Sequence, residues 1–133
     1  MKNTFHKSER LCSKKAMEVL FSKGFSLNRY PVKMMYVVTE YPLPQASQVM
    51  FVAPKKKFKR AHDRNLLKRR MKEAYRLHKH MYYQELQGLQ LKTQAAFIFT
   101  GAELSSYETI QQSVVWLIQQ SVNKLKLHKT ESN

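Results

Sequence analysis

Residues 55–79 read KKKFKRAHDRNLLKRRMKEAYRLHK, and this run sets how the rest of the chain is arranged. It holds about two thirds of the formal net charge of +15, with Asp63 and Glu73 as its only acids. Wound as a helix at roughly 100° per residue, Leu67, Met71, Ala74, Tyr75 and His78 form one stripe. Asn65, Lys68, Arg69, Lys72, Arg76 and Lys79 fall opposite, with Arg64 at the border. A solvated charged face usually mixes signs at i to i+4, whereas only Glu73 interrupts this one, so the wet side presents long cationic donors suited to phosphate oxygens. Nucleic acid is the partner this composition favours; an acidic protein and an anionic membrane are the alternatives.

Outside that run the composition fits one domain. A chain of 133 residues with 43% hydrophobic content buries a single modest core, read as one domain over 1–133 with flexible ends at about 1–8 and 128–133. Cys12 is the only cysteine, which rules out an internal disulfide, a cysteine zinc cluster and a CxxC pair, and a reducing cytoplasm is the simplest setting. No signal-peptide pattern opens the chain and no run of about 18 apolar residues occurs, so no membrane partner is expected.

Working outward, Phe5 and Leu11 are the possible anchors of a polar, extended arm. Ser13 can cap a short helix over 13–23 with Met17, Leu20 and Phe21 on one face and Gly24 as a left-handed stop. The β-branched and aromatic stretch 25–40 predicts one strand or two. Val32, Met34, Tyr36 and Val38 share a face, Lys33, Met35 and Val37 take the other, and Pro31 marks a strand start or a break. After the proline turn 41–47 comes an apolar strand ending at Pro54, with antiparallel pairing expected across that turn. The basic helix then begins near Asp63 and runs to about 81–86, closed by Gly88. TQAAFIFTG, 93–101, predicts a strand buried on both faces and lying mid-sheet. Ser105 and Glu108 match a capping box for a last helix to about Leu127, its stripe running through Ile110, Val114, Leu117, Ile118, Ser121, Val122 and Leu125. The polar end should fray. The sum is an α/β arrangement, an α+β two-layer sandwich of three helices on a small mixed sheet of about four strands.

Catalytic chemistry is hard to place in these residues. The nine carboxylates form no compact pair able to hold a divalent metal or divide acid and base roles. His78 and His80 stand at i and i+2, on different faces, and His62 is turns away, so no metal-ligand spacing results. Cys12 has no evident histidine partner, and Gly24, Gly88 and Gly101 cannot make a phosphate-cradling loop. Neither a catalytic residue nor a metal ligand is assigned.

The sequence Arg64-Asn65-x-x-Lys68-Arg69-x-x-Lys72-Glu73-Ala74-Tyr75, preceded by Lys55-Lys56-Lys57 after a short apolar strand, resembles the signature of the bacterial ribonuclease P protein component. The order of elements agrees over nearly the whole chain, from Arg10-Leu11 through a helix with Phe21 and Gly24 to the last helix. The resemblance implies a protein that assists a catalytic RNA in the magnesium-dependent removal of the 5′ leader from precursor tRNA. Magnesium would then be held mainly by the RNA. It implies RNA contacts from Lys56, Lys57, Arg60, Arg64, Asn65, Lys68, Arg69, Lys72 and Arg76, and a cleft for the single-stranded leader with Met17, Phe21 and Tyr36 as matching positions. It also implies a left-handed crossover around the central helix, against the general preference. Two positions depart from the pattern: Leu66 replaces the third residue of an Arg-Asn-Arg triplet, with Arg70 or Arg60 available to offset it, and Met17 replaces an aromatic. Plain core packing is the other reading of Phe21 and Tyr36. For the whole chain, the alternatives are a general structured-RNA-binding or ribosome-associated protein and, against the helix spacing, a DNA-binding domain. Homo-oligomers are not expected.

Overall fold

The computed structural model describes residues 4–40 and 42–132. Its elements are helix α1 (Lys14–Lys23), strands β1 (Phe25–Arg29), β2 (Val32–Thr39) and β3 (Ser47–Val52), helix α2 (Ala61–Leu89), strand β4 (Lys92–Phe99) and helix α3 (Tyr107–Ser132), with a 3-10 turn at Lys7–Glu9. The sheet order is β1-β2-β4-β3. Of the two readings of stretch 25–40, the structure takes the second: two strands broken at Tyr30-Pro31 and paired antiparallel, with Phe25 opposite Tyr36.

The antiparallel pairing expected across residues 41–47 does not occur. β3 instead runs parallel to β4, Val49 opposite Ala95, while β2 takes the other side of β4 antiparallel, Tyr36 opposite Ala95. The reason is burial: β4 has apolar residues facing both ways, so it sits between the two strands and excludes their direct contact. Tyr41, at the start of that turn, lies outside the described residues. α2 is the crossover that a parallel β3–β4 pair requires.

One sheet face, through Val32, Met34, Tyr36, Val49, Ala95, Phe97 and Phe99, packs on α2 and α3 to form the main core. Each fully buried side chain of this size contributes about 1.5–3 kcal/mol relative to exposure. The α3 stripe is buried as its spacing predicts, from Ile110 to Leu125. The opposite sheet face carries the smaller cover of α1, where Leu20 and Leu11 are buried against Ala96, with Met17, Met35, Met50 and Ile98 around them.

Several helix ends differ from expectation. Gly24 is not left-handed (φ −71°); a Cβ there would lie 2.4 Å from the Leu20 carbonyl oxygen, so close backbone approach explains the glycine. α2 passes through Gly88 and ends at Leu89, with Gln90 taking the left-handed cap at φ 58°. Ser106, not Ser105, caps α3 by accepting from the Thr109 amide, and the helix continues beyond Leu127 to Ser132. At the other end the arm is docked: Phe5 packs on Phe51 and Tyr75, and Leu11 is buried.

Candidate nucleic-acid interface

α2 starts where Asp63 can complement the helix dipole and where Arg64 holds the preceding loop. The Arg64 guanidinium donates to the carbonyls of Phe58 (2.7 Å) and Lys59 (2.8 Å), so this residue is half structural. Over the next two turns, Asn65, Lys68, Arg69 and Lys72 form one wall of a groove of about 600 Å³. The facing wall is the docked arm with β3, which supplies Arg10, Phe5 and Phe51. Lys72 places its ammonium 5.5 Å from the centre of the Phe5 ring. Asn65, Lys68 and Arg69 are exposed. The groove therefore combines several cations and an amide with aromatic surface, a set that can take phosphates along one edge and stack a base.

The other residues singled out from the sequence spread around this groove. Lys56 and Arg60 are exposed on the loop before α2, and Lys57 donates to the Thr100 carbonyl at 2.7 Å. Arg76 is outside the groove lining and pairs with Glu73 through hydrogen bonds that hold the Glu73 carboxyl below its usual range. Arg70 does not replace the cation lost at Leu66, because its guanidinium donates to the Ser105 carbonyl at the start of α3. Lys79, placed on the wet face by periodicity, is buried: it donates to Glu9, 2.6 Å away, and to the Thr4 carbonyl. Glu9 also accepts from the Tyr83 hydroxyl (2.8 Å) and the His6 amide (2.7 Å). Burial alone would raise the Glu9 pKa; the hydrogen bonds and the Lys79 charge outweigh it and hold the carboxyl below the ordinary range. This buried pair fastens the arm to α2 and so builds the second wall. Arg10, which the sequence marks only as part of the Arg10-Leu11 start, also lines the groove, and nothing local to it signals that.

On the other sheet face, Met17 meets Met35, Met50 and Ile98, and Phe21, one turn further along α1, is 44% exposed. Tyr36 does not join them. It is 3% exposed on the face packed by α2 and α3, so the core reading applies, and Met35 is the β2 residue on the α1 side. The one-residue alternation of a strand accounts for the difference. Among the described residues no three histidine, cysteine, aspartate or glutamate side chains gather as a metal site. No helix among them is long and apolar enough to cross a membrane.

A family model described as Ribonuclease P matches residues 5–122. The chain is 35% identical over 109 residues to a ribonuclease P protein component of Porphyromonas gingivalis strain W83, covering 81% of this chain and 79% of the relative. It is 30% identical over 122 residues to the component of Chlorobium phaeobacteroides, covering 84% of each. The fold is similar to the RNase P protein of Staphylococcus aureus, with a TM-score of 0.69 at 18% identity over 86% of this chain and 96% of that one. It is also similar to the RNase P protein of Thermotoga maritima, with a TM-score of 0.67 at 20% identity over 84% and 96%.

Proposed function

Because this chain belongs to the ribonuclease P protein family, we propose that it serves tRNA processing by lending a cationic groove and an apolar cleft to a catalytic RNA that cuts the 5′ leader from precursor tRNA. As a ribonuclease P protein component it is a subunit of an endoribonuclease holoenzyme. The bond-breaking belongs to the RNA on this reading. The observation that carries it is the groove itself, where Asn65, Lys68, Arg69 and Lys72 stand together opposite Arg10 with no carboxylate in the lining.

The α2 groove offers magnesium no carboxylate, so on this reading the RNA holds the metal. The polypeptide contributes cations that lower the repulsion between RNA phosphates as they approach. The catalytic RNA contacts fall to Arg60, Arg64, Asn65, Lys68, Arg69 and Lys72, with Lys56, Lys57 and Arg76 at the margins. The leader lies over the α1 side of the sheet, against Phe21, Met17 and Met35. Methionine gives an adaptable apolar wall there without the stacking plane of a ring. A cytoplasmic setting follows from the RNA partners.

The test adds the purified chain to a bacterial ribonuclease P RNA at low magnesium and follows cleavage of precursor tRNA, with long-leader and leaderless substrates compared for affinity. Faster cleavage and tighter binding of the long-leader precursor are expected. Equal binding of any structured RNA, with no gain in cleavage, would mark a general RNA-binding protein instead.

A further inference from the structure

A second groove lies on the outer side of the helix layer, across the sheet from α1. Arg29, at the end of β1, meets His78 of α2 and Gln111, Gln112, Trp116 and Gln119 of α3 around about 420 Å³. Through His78 and Gln119 it continues into a depression of about 290 Å³ with Leu77, Met81 and Val115 in its lining. The Arg29 guanidinium sits over the indole of Trp116, 5.4 Å from its centre. His78 and Gln111 hold each other at 2.8 Å, and burial lowers the His78 pKa. No carboxylate lines either part.

We propose that this groove binds a single-stranded segment of RNA, with a base stacked on the Arg29–Trp116 pair and the glutamine amides meeting base edges. The contact is separate from the α2 groove, because Leu77, His78 and Met81 lie on the flank of α2 away from Asn65, Lys68, Arg69 and Lys72. A planar cation on an indole, beside amides that both donate and accept, matches the stacking face and edge groups of a nucleobase. Among the described residues no acid pairs with Arg29, and its charge suits the phosphates between bases. A second copy of the chain fits poorly, since a two-fold contact would bring the Arg29 guanidiniums of two chains, each of +15, toward one another with no carboxylate in the lining to separate them.

Trp116 is the only tryptophan, so intrinsic fluorescence reports on this groove directly. The full chain carrying Lys68→Ala and Arg69→Ala, which weakens the α2 groove, is titrated with a short unstructured oligoadenylate and, separately, with polyglutamate. Saturable quenching by the RNA and none by polyglutamate is expected, weakened about tenfold by Arg29→Ala through loss of the cation and its stacking plane. Gln119→Glu, at an exposed position, should weaken it comparably by placing a negative charge in the groove. Absence of quenching, or quenching that is lost when Lys68 and Arg69 are replaced, would overturn the proposal. Equal quenching by polyglutamate would also overturn it and point to an acidic protein. Stimulation of precursor cleavage is a separate readout, so the ribonuclease P reading stands or falls apart from this one.

Discussion

Arg64 and Lys68 lie one turn apart on the same helix, yet their side chains have different duties. Lys68 is exposed and free to meet phosphate, so Lys68→Ala should lower the slope of log affinity against log salt by about 0.7–0.9 while leaving the melting temperature unchanged. Arg64 holds two loop carbonyls, and Arg64→Ala should cost about 1–2 kcal/mol, seen as a fall of about 3–6 °C in melting temperature along with weaker RNA binding. Binding isotherms at several salt concentrations and thermal melts of the free protein separate the two. If Lys68→Ala also melted early, Lys68 would be supporting the fold. Tyr36 and Met35 make a similar point about neighbours: one position along a strand decides between core and cleft, and no local feature of KMMYVV says which face the helices will cover.

At the scale of elements, the arm 4–12 and α1 depend on a few contacts that can be cut singly. Replacing Glu9 with glutamine leaves the Lys79 ammonium buried without its anion, a loss of about 3–5 kcal/mol that should undock the arm and open the groove wall. Chemical denaturation and hydrogen exchange at residues 5–11 would measure it. The pH dependence has a definite sign. The Glu9 carboxyl is depressed in the folded state, so its contribution is fully present above the unfolded value near 4.5 and is lost as pH falls through the lower folded value. The acid limb of the stability curve should therefore be steeper in the native chain than in Glu9→Gln, and parallel limbs would refute this. The glycines should respond oppositely. A methyl group at Gly24 would press on the Leu20 carbonyl and the Tyr36 backbone, so Gly24→Ala should loosen α1 at a cost of about 1–3 kcal/mol. Gly88 lies within α2 with open space around it, and Gly88→Ala should stabilise by about 0.5–1 kcal/mol in the same denaturation assay.

For the whole molecule, the charge of +15 pulls stability and binding in opposite directions. Salt screens self-repulsion in the free protein and also weakens its hold on phosphates, so raising salt should raise the melting temperature while lowering RNA affinity. Melting curves and binding titrations over one salt series test both signs. Much of this molecule was written in local order: the basic helix, the central position of β4 and the α3 stripe follow from periodicity within short windows, whereas Pro31 marked a strand boundary without deciding between one strand and two. The cationic character of the α2 surface was equally plain. Contacts distant in sequence decided the remainder. Burial of Lys79 needed Glu9, seventy residues earlier, and the parallel placement of β3 needed an apolar strand not yet reached in the chain. The groove itself exists only where the arm returns to face α2, because a helical wheel ranks the faces of one helix but carries no information about which distant segment will cover them.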